Sequence, residues 1–167
     1  VGVKVVDDDE NELEVGEEQI GEIVISGHNM MKGYYKNPAT TAEAFRGGWF
    51  HTGDLAYQDK DGYFFIVDRK KDLVIRGGYN VYPREVEEVL YAHPSIAEAA
   101  VIGKPDDKLG EEVVAVITLK PGADVTPQDV IAYCKEQMAA YKYPREVRIV
   151  DALPMGPTGK ILKKELR

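Results

Sequence analysis

Residues 63–78 read YFFIVDRKKDLVIRGG, and this stretch decides how the chain is organised. Tyr63 to Val67 is aromatic and β-branched, the composition of a strand. Five consecutive charged residues follow, Asp68-Arg69-Lys70-Lys71-Asp72, then a short apolar run, Leu73-Val74-Ile75, and a tight turn at Gly77-Gly78. A charged run of that length is costly to bury in a core and belongs at a surface junction. The sequence therefore predicts two units, 1–70 and 71–167.

On the N-terminal side, Asp59-Lys60-Asp61-Gly62 is a hairpin turn that joins extended residues Trp49 to Gly53 and Leu55 to Gln58 to the strand at Tyr63. Val1 to Val6 and Ile20 to Ser26 carry strand patterns, separated by a polar turn at Asp7 to Asn11. Asn37-Pro38 has the form of an N-cap followed by proline in the first helical turn, opening a short helix that stops near Gly47-Gly48. The first unit is expected to be antiparallel and mostly β.

On the C-terminal side, Pro83 to Tyr91 reads as a helix with Val86, Val89 and Leu90 on one face. Ala97 to Gly103 and Glu112 to Leu119 read as strands flanking a loop at Asp106 to Gly110, and Glu146 to Val150 as a last strand. Thr126-Pro127-Gln128-Asp129 has capping-box form, opening a helix whose apolar side holds Val130, Ile131, Cys134 and Met138. The expected class is α+β: a β-rich subdomain, then a small domain with a three-stranded sheet and flanking helices.

The 167 residues include 21 Lys+Arg and 29 Asp+Glu, a net charge of −8, with 44% hydrophobic residues. That is enough apolar material for a core without disulfides. The acidic balance argues against nucleic acid as a partner, because polyanions select basic faces. The single cysteine, Cys134, cannot form an internal disulfide, sits on an apolar helix face and fits a cytoplasmic compartment. No apolar run approaches the roughly 18–20 residues of a membrane span, and no signal peptide opens the chain, which leaves only peripheral membrane association open. The start at Val1 suggests a piece of a longer protein.

Several motifs fail on inspection. Asp7, Asp9, Asn11 and Glu18 imitate a calcium loop, but Glu12 stands where the mid-loop glycine is required. His28, His51 and His93 are too scattered for a metal site. Met155 to Lys160 looks like a phosphate loop, yet Pro154 occupies the first glycine position and Ile161 the Ser/Thr position. What survives there is Lys160, presented by a Gly- and Pro-rich loop. Asp54 follows a glycine at a strand end, where a carboxylate can accept two hydroxyl hydrogen bonds or simply cap a turn. Arg69 is either a charged donor to the same ligand or half of a surface ion pair.

Taken in order, Gly48 to Asp54 (GWFHTGD), Asp68 to Asp72 (DRKKD), Gly77 to Glu87 (GGYNVYPREVE) and Pro157 to Lys160 (PTGK) resemble the adenylate-forming superfamily, and most closely its fatty-acid–CoA ligases. The resemblance covers the whole chain but only the C-terminal part of such enzymes. It implies that 1–70 is the last, β-rich subdomain of the large AMP-binding domain and 71–167 the small mobile C-terminal domain. The phosphate loop, the adenine segment, most of the acyl pocket and most ligands of Mg2+ would lie upstream, so the chain alone is expected to be inactive without the missing N-terminal domain.

The resemblance further implies a two-step reaction: a fatty acid and Mg-ATP give acyl-AMP, and CoA then displaces AMP. Asp54 matches the acid on both ribose hydroxyls, Arg69 the arginine beside it, and Ile66 a residue packing near the nucleotide. Lys160 matches the lysine bridging the carboxylate and the α-phosphate. Lys71 matches the hinge between the half-reactions. Gly77, Gly78 and Tyr79 match the turn that meets the pantetheine arm, and Lys135 is the best-placed partner for the nucleotide end of CoA, although Leu109 stands where many relatives carry a basic residue. Two other readings are an acyl-AMP ligase that loads a carrier protein and a non-catalytic module that binds CoA or a partner.

Overall fold

The computed structural model describes all 167 residues and divides into two units, Val1–Lys71 and Asp72–Arg167. In the first, strands β1 (Gly2–Val6), β2 (Gly21–Ser26), β3 (Phe50–Gln58) and β4 (Phe64–Arg69) form one antiparallel sheet in chain order. Val6, Val24, Leu55 and Ala56 are buried within it. Helix α1 (Pro38–Ala44) begins as its sequence dictates, with Asn37 Oδ1 accepting from the Thr40 amide at 3.2 Å.

The sheet is irregular where Asp54 lies. Glu22 pairs with Leu55 and Val24 with His51, so the three residues Thr52, Gly53 and Asp54 stand opposite Ile23 alone. Gly53 has φ +76°, a left-handed value that glycine adopts without the penalty other residues carry. A second irregularity puts one extra residue, Val67, into β4, after which Asp54 faces Arg69 in register.

The second unit contains β5 (Val74–Arg76), β6 (Tyr79–Val81), α2 (Pro83–Tyr91), β7 (Ile96–Asp106), β8 (Gly110–Leu119), α3 (Pro127–Gln137) and β9 (Glu146–Ile149). The expected three strands are the centre of the sheet: β7 pairs antiparallel and β9 parallel with β8. The β5–β6 hairpin extends it to five strands. Three-residue strands are too short for a periodic pattern, and only their turn was readable. Gly77 (φ +58°) and Gly78 (φ +83°) close it as the tightest hairpins require, with positive φ at both turn positions.

The two faces of this sheet are covered differently. Val101, Val113, Ala115 and Ile117 pack under α2 and α3 against Val86, Leu90, Val130 and Cys134. Ala100, Ile102, Val114 and Val116 pack instead against the tail residues Leu153, Ile161 and Leu166. Both helices therefore lie on one face. Leu153 is buried and Ile161 and Leu166 partly so, and because full burial of a Leu or Ile contributes about 1.5–3 kcal/mol, the tail is a structural part of the domain. The capping box opens α3, with Thr126 Oγ1 accepting from the Asp129 amide at 3.2 Å and Asp129 Oδ2 accepting from the Thr126 amide at 2.9 Å. Met138 lies one residue past the helix, in extended conformation. Burial pushes the Cys134 thiol up to about 11, as a core cysteine requires. No helix is long and apolar enough to cross a membrane.

Candidate functional site

The first unit presents one charged pair at the sheet's irregular edge. Arg69 Nε donates to Asp54 Oδ1 at 2.8 Å, with the side chains 53% and 30% exposed. The carboxylate is thus oriented by a guanidinium yet open to solvent, an arrangement that can accept hydroxyl donors from a ligand while a cation stands beside it. Ile66 lies on β4 opposite Ala56 and is 46% exposed, an apolar surface three residues before Arg69.

Beneath the pair lies a group that the sequence reading missed. Glu22, 5% exposed, accepts from the Gly53 amide at 3.0 Å through Oε1 and from Lys70 Nζ at 3.1 Å through Oε2. His51 Nδ1 lies 3.1 Å from the same Oε2 and 3.0 Å from Arg46 Nη2. Burial alone would push the Glu22 carboxyl up, but the bonds from His51, Lys70 and the Gly53 amide outweigh it and hold the carboxyl below its usual range. Lys70 also meets Asp8 at 2.8 Å, and its two carboxylates raise its pKa against the opposing effect of burial. The signal available in the sequence was an acid set among Ile20, Ile23, Val24 and Ile25 in an otherwise apolar strand. Lys71 follows Lys70 in a single 3-10 turn, Lys70–Asp72.

In the second unit the candidate residues stand at separate places. Lys160 closes a small loop: Met155 bridges Ile161, the Gly156 amide donates to the Lys160 carbonyl at 2.8 Å, and the Leu162 amide donates to the Pro154 carbonyl at 2.8 Å. Leu153 and Ile161 root this loop in the core, while the Lys160 side chain is exposed and forms no ion pair within the chain. The result is a cation on a firmly anchored support.

At the Gly77-Gly78 turn, the Gly77 amide donates to the Leu109 carbonyl at 2.8 Å, and no heavy atom lies within 4 Å of where a Gly78 side chain would start. Tyr79, 60% exposed, stacks on Tyr141 with ring centroids 4.9 Å apart. Lys142 adds a cation 5.6 Å from the Tyr141 ring and pairs with Glu85 at 2.6 Å. Tyr141 and Lys142 were not singled out by sequence reasoning, since they lie 62 or more residues from the turn they border and no spacing rule links them. Lys135 is exposed in the last turn of α3, and no hydrogen bond or ion pair joins it to the glycine turn. No group of three or more His, Cys, Asp or Glu side chains is placed to hold a metal ion.

Residues 85–160 match the AMP-binding enzyme C-terminal domain. A feruloyl-CoA synthase from Amycolatopsis is 49% identical over 147 residues, covering 88% of this chain and 30% of the relative. A long-chain-fatty-acid–CoA ligase from Escherichia coli is 42% identical over 164 residues, covering 98% of this chain and 29% of the relative. Among solved structures, ATP-bound MatB from Rhodopseudomonas palustris superposes with a TM-score of 0.92 at 42% identity, covering 99% of this chain and 33% of that one. The chain thus spans about 30% of the length of the curated relatives it matches.

Proposed function

Because the chain belongs to the adenylate-forming enzymes through its AMP-binding enzyme C-terminal domain, we propose that it is the C-terminal part of an ATP-dependent acid–CoA ligase acting on a fatty acid in the cytoplasm. The observation that carries this reading is the Asp54–Arg69 pair at 2.8 Å. Asp54 accepts both ribose hydroxyls, and Arg69 orients the carboxylate and faces the nucleotide with Ile66 beside it. In the first half-reaction Lys160 meets the substrate carboxylate and the α-phosphate. Its ammonium stabilises the charge that grows on those oxygens as acyl-AMP and pyrophosphate form. It takes no covalent part.

Lys71 is the hinge about which residues 72–167 change pose between half-reactions, and a cation there stays solvated in both. In the second pose the Gly77-Gly78 turn, open at Gly78, admits the pantetheine arm beside Tyr79, with Lys135 toward the nucleotide end of CoA. CoA's thiol then attacks the acyl carbonyl and AMP leaves. This chain gathers no three His, Cys, Asp or Glu side chains around one point, so the ligands of Mg2+ would come mostly from the upstream domain and from the ATP phosphates. Leu109 offers no cation to the nucleotide end of CoA, and this carries the second reading, in which a carrier protein is the acceptor in place of CoA.

The full-length protein, incubated with Mg-ATP, CoA and a ladder of fatty and aromatic acids, tests this by mass spectrometry. Acyl-CoA with a fatty-acid optimum is the expected product. Acyl-AMP that accumulates without thioester selects the carrier-protein reading, and absence of both rejects the ligase.

A further inference from the structure

Glu22 sits in the apolar strand β2, where a residue such as leucine would fill the space without the cost of burying a charge, about several kcal/mol per ion when unpaired. Its oxygens are divided between two elements. Oε1 accepts from the amide of Gly53, the residue before Asp54, at 3.0 Å, and Oε2 accepts from Nζ of Lys70, the residue after Arg69, at 3.1 Å, with His51 Nδ1 at 3.1 Å and Arg46 Nη2 at 3.7 Å on the same oxygen. The segment that carries Asp54 is a three-residue excursion opposite Ile23 on the β2 side, while on the β4 side Asp54 keeps its register with Arg69. Thr52 Oγ1 donates to the Ile23 carbonyl at 2.8 Å and accepts from the Asp54 amide at 3.1 Å, which pins one flank. The Gly53 amide is its other attachment toward β2, and Glu22 is its acceptor.

We infer that Glu22 is a positioning residue for the Asp54–Arg69 pair: a single buried carboxylate fixes the residue before one and the residue after the other, and so sets the separation at which they meet a nucleotide. The inference rests on the adenylation reading above. Substituting the carboxylate separates its two attachments. Glu22→Gln keeps one oxygen for the Gly53 amide but turns an NH2 group toward Lys70, whereas Glu22→Ala removes both acceptors.

In the full-length enzyme, followed by ATP–pyrophosphate exchange, Glu22→Gln is expected to raise the KM for ATP about tenfold while kcat changes less than about threefold, since a charge-assisted bond that orients the binding groups is lost and Lys160 is untouched. Lys70→Met should give the same rise, and the Glu22→Gln/Lys70→Met double variant no more than either alone. Glu22→Ala should also move the Gly53 and Asp54 amide resonances of the 167-residue chain, which Glu22→Gln should largely preserve. A merely structural role would lower kcat through loss of active protein and leave KM alone. Variants that retain the wild-type KM for ATP, or a Gly53 amide that Glu22→Ala leaves unmoved, overturn the inference while leaving the adenylation reading standing. A wild-type enzyme that exchanges no pyrophosphate with any acid removes that reading first, and the inference with it.

Discussion

The two units hold their candidate residues in opposite ways. Asp54 and Arg69 are register partners in a sheet, joined to each other at 2.8 Å and undergirded by a buried carboxylate. Lys160 and Gly78 sit on exposed turns whose bases are anchored and whose tips touch little. A group that binds one ligand throughout a reaction gains from being fixed in the fold, because less ordering remains to be done on binding. A group that serves one half-reaction and is then withdrawn gains from having no partner of its own to break. Under the proposed function, the contrast is the physical form that a division into a binding unit and a delivering unit would take.

The largest expected effect tests the delivering unit. Lys160→Ala in the full-length enzyme should cut adenylation by about 10²–10³-fold, the range for deleting one group aimed at developing charge. Thioester formation from supplied acyl-AMP should stay within about twofold. Because Lys160 has no ion pair to lose, the thermal stability of the variant should match the wild type. Equal losses in both half-reactions would break the comparison, since Lys160 would then serve the bound nucleotide throughout, like Asp54.

The binding unit should respond in the complementary way. Asp54→Ala removes up to two charged hydrogen bonds of about 1.5–3 kcal/mol each to a ligand, so affinity for ATP and for acyl-AMP should fall together by about 10²–10⁴-fold. Isothermal titration of each ligand checks this. A loss confined to ATP would sharpen the picture to a contact made in one pose only. The side chain is 30% exposed, and its pairing with Arg69 contributes little to stability, so the variant should still fold.

Much of this contrast was legible in the sequence because it is written in local features. The hairpin turn at Asp59 to Gly62, the Asn37 cap, the Thr126–Asp129 box and the charged run at Asp68 to Asp72 each act within a few residues, and each has one dominant physical reading. Glu22 was not legible, because its partners lie 29, 31 and 48 positions away and an acid in an apolar strand looks like a break in the pattern. The β5–β6 strands were too short for any period to register. That the tail from Leu153 to Leu166 forms the second cover of the sheet was hidden too, since three apolar residues spaced along a loop carry no helical or strand signature.

The smallest effect is expected at Gly78, and it separates backbone freedom from open space. At φ +83° any other residue is strained, by about 1 kcal/mol or somewhat more for alanine. No atom lies within 4 Å of the added methyl, so the fold pays no steric penalty beyond that strain, and the melting temperature should drop only a few degrees. Adenylation should be unchanged. If this open space admits the thin arm of CoA, the methyl of Gly78→Ala occupies part of it, and the KM for CoA should rise about tenfold with acyl-AMP supplied. Gly77→Ala is the internal control: its methyl would lie 3.4 Å from Leu109 Cδ2, on the side already filled by the protein. It should cost as much stability and less affinity for CoA. If both variants alter the thioester step equally, the turn acts through its backbone shape, and the open tip at Gly78 is not where the second substrate passes.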